Sequence, residues 1–242
     1  MDAVITAGGR VGPPFAGIIG TTVKALAVVG GASMLERAIA AARGAGARQV
    51  AVIGGHEVRS SCGHLIDRFV DEAPSGSENV RRALNVFVDS EFLYLTSDLP
   101  FISALALRSF MDRVPAGAIG MPLADADAYE TRFPDAPAHA AVIGGERVAN
   151  GSAFLIPARA ASVIRSIAQQ FFNARKNVVR MACLLGPQLL FKYALRRLRI
   201  LDIETRAAVV LGFPAHAIRD CAPELCYDVD DLGDYQYACD HG

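Results

Sequence analysis

The stretch Ala3-Val4-Ile5-Thr6-Ala7-Gly8-Gly9-Arg10 is the part of the chain that reveals most about its fold. Its apolar half predicts a buried β-strand, and its adjacent glycines predict a turn in which backbone N–H groups approach an anion closely. Lys24, later in the same loop, adds a positive point charge. The stretch therefore predicts a phosphate site. Because Gly8, Gly9 and Gly12 lack the spacing of a dinucleotide-binding motif, an ordinary turn with an exposed lysine stays open as an alternative.

Length and composition limit the classes of protein that fit. The chain has 242 residues, enough for one large domain, and 52% of them are apolar, yet no apolar run approaches the length that spans a bilayer. The formal net charge of −1 disfavours a nucleic-acid partner. The five cysteines form no CxxC pair, which disfavours a disulfide framework and a structural zinc site. We expect a cytoplasmic protein with no membrane partner, and the oligomeric state stays open.

Apolar runs alternate with amphipathic segments through the first half of the chain. Strands are predicted at residues 3–6, 50–53, 69–70, 92–96 and 118–121. A helix is predicted to begin at Ser33, which forms a capping box with Glu36. Continuous apolar strands separated by amphipathic helices are typical of an α/β fold whose mostly parallel sheet has helices on both faces.

The pattern changes after residue 121. The sequence predicts a surface loop over 125–137, a hairpin-like excursion over 139–156, mostly helical structure over 158–211, and strands over 217–221 and 225–229. We interpret residues 1–242 as a single domain, with one half over 1–121, which carries the predicted phosphate site, and a C-terminal elaboration over 122–242.

Residues that can carry chemistry follow several predicted strands. In open α/β sheets, ligands bind beyond the carboxyl ends of the strands. The Gly8-Gly9 loop, the Gly76-Ser77 loop and Asp98 all lie at such ends, and Asp228 and Asp230 lie at the end of the last predicted strand. Carboxylate oxygens beside a phosphate site suit Mg²⁺, which keeps several waters and needs only one or two protein carboxylates.

The order and spacing of these motifs resemble the MobA-like nucleotidyltransferase family, which is related to the molybdenum cofactor guanylyltransferase. The resemblance rests on Ala7-Gly8-Gly9, on Lys24-Ala25-Leu26 followed by Gly30-Gly31, on Ser97-Asp98-Leu99-Pro100-Phe101, and on the acidic stretch 228–235. It is continuous over 2–121 and returns over 150–238. It implies a Rossmann-like, glycosyltransferase-A-type sheet.

The resemblance also implies an activity, the magnesium-dependent transfer of a nucleoside monophosphate from a nucleoside triphosphate. The acceptor would be a small phosphorylated molecule, namely a sugar phosphate, an alcohol phosphate or a cofactor precursor, and pyrophosphate would leave. Such a transfer requires mainly positioning and charge stabilisation from the protein. Two alternatives stay open: a catalytically degenerate nucleotide-binding regulatory protein, and a dinucleotide-dependent oxidoreductase. Gly54-Gly55 stand where the latter carries an acidic ribose-binding residue, which disfavours it.

Residue roles follow from the same resemblance. The implied catalytic residues are Lys24, Asp98 and Arg10; the implied nucleotide-binding residues are Ala7, Gly8, Gly9, Arg10, Lys24, Gly76, Ser77 and Asn79; the implied acceptor-binding residues are Arg175 and Lys176. Asp98 and Asp230 are the implied Mg²⁺ ligands, with Asp228 competing for the second place. For each aspartate, a helix-capping or first-turn role is the alternative.

The loop between Arg10 and Lys24 departs from the family pattern. Family members commonly carry a second glycine and an arginine-bearing stretch there, whereas residues 11–23 of this chain are uncharged. The variant loop leaves two possibilities: the triphosphate contacts depend more heavily on Arg10 and Lys24, or catalysis is weakened.

Overall fold

The structure of the protein, a computed structural model, describes residues 1–137, 140–174 and 186–242. Its strands are β1 (Asp2–Thr6), β2 (Val28–Val29), β3 (Ala32–Ser33), β4 (Val50–Gly54), β5 (Arg68–Asp71), β6 (Phe92–Thr96), β7 (Ile119–Asp125), β8 (Ala140–Ile143), β9 (Glu146–Asn150), β10 (Ala153–Ile156) and β11 (Ala215–Ile218). Its helices are α1 (Pro13–Ile19), α2 (Met34–Gly44), α3 (His56–Cys62), α4 (Gly76–Ala83), α5 (Ala104–Met111), α6 (Ala126–Arg132), α7 (Ala160–Ala174), α8 (Pro187–Ala194), α9 (Ile200–Leu211) and α10 (Leu232–His241).

One mixed, mostly parallel sheet organises these elements. Its strand order is β5-β4-β1-β6-β10-β7-β9-β8, and β11 pairs with β7. Strand β1 pairs in parallel with β4 and β6, whereas β10 is antiparallel to both β6 and β7. Strands β1, β4, β5, β6, β7 and β11 therefore run in one direction, and their carboxyl ends share one edge. The predicted α/β class is confirmed.

Helices cover both faces of the sheet. Ile5 belongs to an apolar cluster with Leu35 of α2 and Leu107 of α5, whereas its neighbour Val4 belongs to a second cluster with Ala83 of α4. Successive residues of a strand point to opposite faces, so the two clusters lie on opposite sides of the sheet. Both Val4 and Ile5 are fully buried, which explains why the strands are continuous apolar runs and not alternating ones.

The start of α2 confirms the predicted capping box. The backbone N–H of Glu36 donates to Ser33 Oγ at 3.2 Å, and the backbone N–H of Ser33 donates to Glu36 Oε2 at 2.7 Å. These two bonds satisfy N–H groups that the first turn of a helix leaves unpaired. None of the helices within the described ranges is long and apolar enough to cross a bilayer.

Two predictions for the middle of the chain were wrong. Residues 125–137 are not only a loop, because they begin with α6, whose first turn is capped by the Asp125 carboxylate accepting from two backbone N–H groups. The hairpin pairs β8 with β9, joined by Gly144 and Gly145 at φ 60° and 90°, and β10 lies instead between β6 and β7. Strand β10 is buried at three of its four positions, which favours the interior of the sheet over an exposed arm.

The predicted strand over 225–229 is also absent. Residues 221–231, here called the edge-crossing segment, run across the carboxyl edge of the sheet. Backbone hydrogen bonds tie the segment to β7, to the residue before β10 and to the loop after β6: Cys221 N to Leu123 O, Ser152 N to Leu225 O, and Val229 N to Asp98 O. Its apolar residues are buried because they cover the ends of the strands, not because they lie within the sheet. The predicted helical region is confirmed over its described residues by α7, α8 and α9.

Candidate active site

The glycine loop after β1 returns to its starting point. The backbone N–H of Lys24 donates to Gly9 O at 3.0 Å, and Arg10 and Val23 form an isolated antiparallel bridge. The uncharged residues between them form α1, whose Phe15 is buried and packs against the Tyr235 ring with centroids 5.2 Å apart. The loop that sequence analysis described only as uncharged is thus an apolar helix that docks on the core and returns Lys24 beside the glycines.

Lys24 binds the carboxylates at the edge of the sheet. Its Nζ lies 2.5 Å from Asp98 Oδ2 and 3.8 Å from Asp230 Oδ1, and it donates a hydrogen bond of 2.7 Å to Val229 O. The side chains of Lys24 and Asp98 are each 15% exposed, whereas that of Asp230 is 76% exposed. One ammonium therefore joins the end of β6 to the edge-crossing segment.

The charge of Lys24 is set by two opposing effects. Burial alone lowers the pKa of the amine, since it penalises the charged form. The negative charges of Asp98, Asp230 and Asp228 and the hydrogen bond to Asp98 outweigh burial, so the pKa of Lys24 is raised above its usual value. The ammonium consequently stays charged throughout the neutral pH range.

The C-terminal aspartates form two groups that differ in what their carboxylates contact. Asp231 caps α10 by accepting from the backbone N–H groups of Gly233 and Asp234, and Asp234 Oδ2 accepts from the backbone N–H groups of Asp230 and Asp231. Asp228 and Asp230 instead approach Asp98, and oxygens of these three carboxylates all lie within 4.8 Å of one another. The structure thus gathers both aspartates between which the sequence left the choice open.

The three carboxylates fit a divalent cation. Asp98 Oδ1 is buried and has no hydrogen-bond partner, so one carboxylate oxygen of the cluster is left unsatisfied. Carboxylate oxygens are hard ligands of the kind that Mg²⁺ prefers. Asp98, Asp228 and Asp230 are therefore the residues that can hold the metal.

Arg10 lies in a second charged group on the other side of the glycines. Its guanidinium pairs closely with the carboxylate of Glu72 and lies 3.7 Å from Glu57 Oε2. A Cβ on Gly8 would lie 2.6 Å from Glu72 Oε2 and 2.7 Å from Asn79 Nδ2, so both side chains approach this glycine more closely than a Cβ allows. Sequence analysis missed Glu57 and Glu72, although both follow strands whose carboxyl ends lie at this edge.

The remaining predicted residues differ in their placement. The side chain of Asn79 holds the backbone of Ala73, with Oδ1 accepting from its N–H at 2.6 Å and Nδ2 donating to its C=O at 3.2 Å. Ser77 is 3% exposed, in the first turn of α4, and its hydroxyl lies 3.3 Å from that of Ser75. The amide of Asn79 therefore shapes the turn that lies against Gly8. Arg175 and Lys176 lie outside the described residues.

Solved structures share this fold. The chain is similar to a hypothetical transferase from Thermus thermophilus, with 27% sequence identity and a TM-score of 0.83 over 97% of this chain and 98% of that one. It is also similar to a nucleotidyl transferase from Methanothermobacter, at 16% identity and a TM-score of 0.60 over 99% and 96% of the two chains. A third similar structure is a 2-C-methyl-D-erythritol 4-phosphate cytidylyltransferase, also from Thermus thermophilus, at 18% identity and a TM-score of 0.56 over 99% and 97%.

A family model provides the assignment. No curated protein sequence matches the chain. The model of the MobA-like NTP transferase domain, however, matches residues 3–225, which include the glycine loop, Lys24 and Asp98. The match favours the transferase interpretation over that of a dinucleotide-dependent oxidoreductase. The chain belongs to the MobA-like NTP transferase domain family and is a nucleotidyltransferase enzyme.

Proposed function

We propose that the protein transfers a nucleoside monophosphate from a nucleoside triphosphate to a small phosphorylated acceptor, in a magnesium-dependent reaction that releases pyrophosphate. One observation carries the proposal: the Lys24 ammonium and the carboxylates of Asp98, Asp228 and Asp230 meet at the sheet edge where the Gly8-Gly9 turn also lies. Positive charge, cation ligands and closely accessible backbone amides are the groups that a triphosphate requires.

The reaction needs no protein nucleophile. A phosphate oxygen of the acceptor attacks the α-phosphorus and forms the new P–O bond. The bond between the α-phosphorus and the oxygen that bridges to the β-phosphate breaks, and pyrophosphate leaves with the electron pair. The protein contributes by aligning the two reactants and by stabilising the charge on the phosphates.

Each part of the site has a distinct task in this proposal. The backbone at Ala7, Gly8 and Gly9 approaches the nucleotide, and Lys24 neutralises negative charge on the triphosphate. Bound at Asp98 and Asp230, with Asp228 beside them, Mg²⁺ would supply further charge neutralisation. Arg10, whose guanidinium pairs with Glu72 in the structure, is proposed as a further phosphate contact.

The substrate-binding regions divide along the chain. We assign the nucleobase to the start of α4, which carries Gly76, Ser77 and Asn79, because the Asn79 side chain lies against Gly8. We assign the acceptor to the half over 122–242, where Arg175 and Lys176 are the proposed phosphate contacts.

The test is a pyrophosphate-release assay. The protein is incubated with each nucleoside triphosphate, Mg²⁺ and a panel of phosphorylated sugars, alcohols and cofactor precursors. We expect turnover with one combination, and at least a hundredfold loss of rate in Asp98→Asn and in Lys24→Ala, since each removes a group that binds the reacting phosphates or their metal. Asp112→Asn, which makes the same change as Asp98→Asn at an exposed aspartate outside the site, should retain the wild-type rate. Nucleotide binding without pyrophosphate release across the panel would contradict the proposal.

A further inference from the structure

Lys24 pairs with two of the three carboxylates that could hold a cation. We infer that its ammonium acts as an internal substitute for the divalent metal and leaves the carboxylates only when the metal and the triphosphate bind together. This inference rests on the proposed function, because it takes Asp98, Asp228 and Asp230 as the metal ligands. It adds a second role for Lys24, as a residue that couples metal binding to nucleotide binding.

The distances place the ammonium and a bound metal on the same carboxylates. Nζ of Lys24 lies 2.5 Å from Asp98 Oδ2 and 3.8 Å from Asp230 Oδ1, within a cluster whose carboxylate oxygens are all less than 4.8 Å apart. A Mg²⁺ ion binds its oxygen ligands at about 2.0–2.1 Å. A metal held by two of the three carboxylates would share at least one of them with the ammonium, so repulsion between the two cations favours the departure of Lys24 from the cluster.

The ammonium leaves the cluster incompletely satisfied. It pairs with Oδ2 of Asp98, while Oδ1 of the same carboxylate is buried without a hydrogen-bond partner. A buried acceptor without a partner raises the free energy of the metal-free arrangement. Lys24 therefore stabilises the metal-free site without completing it.

The loop gives Lys24 an alternative position. Its backbone is fixed, because its N–H donates to Gly9 O at 3.0 Å and the next residue, Ala25, is buried. Its stem passes the glycine turn, since a Cβ on Gly9 would lie 3.5 Å from Lys24 Cε. Rotation of the flexible four-carbon stem is thus enough to carry the ammonium from the carboxylates to a triphosphate bound at Gly8-Gly9.

The consequence is positive coupling between the two ligands. When the metal binds without nucleotide, it must displace the ammonium into solvent. When nucleotide binds without the metal, it draws the ammonium away and leaves the negative charges of the carboxylates unpaired. Each ligand removes the free-energy cost of binding the other, because the metal pairs the carboxylates and the triphosphate pairs the ammonium. Each therefore raises the affinity for the other by the same factor. We expect the full-length protein to bind a divalent metal weakly without nucleotide.

The direct test measures Mn²⁺ binding without nucleotide, by calorimetry and by electron paramagnetic resonance. We expect Lys24→Met to bind Mn²⁺ at least tenfold more tightly than wild type, because the competing cation is gone. Lys192→Met removes a lysine that is paired with Asp202 at 2.7 Å outside the site, and should bind Mn²⁺ as wild type does. Adding Asp98→Asn to Lys24→Met should abolish the gain. Equal or weaker Mn²⁺ binding by Lys24→Met would overturn the inference.

A second measurement uses the wild-type protein and so does not depend on the folding of a variant. The chain has three lysines, Lys24, Lys176 and Lys192, so ¹³Cε-labelled lysine gives an assignable NMR spectrum. Saturating Mg²⁺ without nucleotide should shift the Lys24 signal and leave that of Lys192 in place. If saturating Mg²⁺ leaves the Lys24 signal unmoved, the metal does not displace the ammonium and the inference is refuted. Both measurements are independent of pyrophosphate release, so a protein that turns over yet fails them would disprove the coupling and leave the proposed function intact.

Discussion

Asp234 offers the sharpest test of how the acidic C-terminal segment is built. Its side chain is buried, with 3% exposed, and Oδ2 accepts from the backbone N–H groups of Asp230 and Asp231 at 2.8 and 3.0 Å. Hydrogen bonds to a charged group contribute about 1.5–3 kcal/mol each, so Asp234→Ala should lower the free energy of unfolding by roughly 3–5 kcal/mol. The change also releases the backbone that positions Asp230, and should weaken Mn²⁺ binding.

Reversible urea unfolding followed by circular dichroism measures the first effect. Asp234→Asn keeps one acceptor oxygen in a similar shape and should lose about half as much stability as the alanine variant. Asp240→Ala removes an exposed aspartate from the same helix, α10, and should change stability by less than about 0.5 kcal/mol. A loss below about 1 kcal/mol in Asp234→Ala would show that these two hydrogen bonds do not hold the segment.

Three further predictions concern other parts of the molecule. Gly8→Ala places a Cβ 2.6 Å from Glu72 Oε2 and 2.7 Å from Asn79 Nδ2, so these side chains must shift at the proposed nucleotide site and nucleotide affinity should fall severalfold in equilibrium binding; unchanged affinity would place the nucleotide elsewhere. Phe15→Ala empties a buried site and should cost about 3–4 kcal/mol in urea unfolding, and a cost under about 1 kcal/mol would mean that α1 is not docked. The hydrogen bond from Lys192 lowers the pKa of Asp202 to about 2. The stability that this ionised carboxylate gives the fold is present above about pH 4 and is lost as the pH falls towards 2. Asp202→Asn should therefore lose less stability than wild type over this pH range in acid unfolding. Identical acid-unfolding profiles of the two proteins would contradict the prediction.

The central strands and α2 could be predicted because their signals are local. Strand β1 is a continuous apolar run, as a strand covered on both faces must be. The start of α2 follows from the capping box of Ser33 and Glu36, two residues only three positions apart. Such features depend on nearby residues alone, so tertiary structure had little to add.

The apolar run over 225–229 shows where local signals fail. Leu225 and Tyr227 are fully buried, which hydropathy indicates correctly. Burial, however, is the same whether a segment lies within a sheet or crosses its end. The hydrogen bonds to Leu123, Ser152 and Asp98 decide between the two, and they join residues far apart in the chain.

The site was predictable in part for the same reason. The proximity of Gly8-Gly9 and Asp98 could be predicted, because parallel strands place their carboxyl ends at one edge of the sheet. The pairing of Arg10 with Glu72 and Glu57 could not, because opposite charges are common at such an edge and sequence does not say which of them meet.

The sequence by itself determined the strand that ends in Gly8-Gly9 and the set of charged groups available at the sheet edge. Only the tertiary structure decided that Lys24 lies among Asp98, Asp228 and Asp230, and that Asp231 and Asp234 serve the start of α10 instead. The physical reason is separation along the chain. Lys24 and Val229 share a hydrogen bond across 205 positions, and the path of the backbone across the edge of the sheet sets which aspartates face the ammonium.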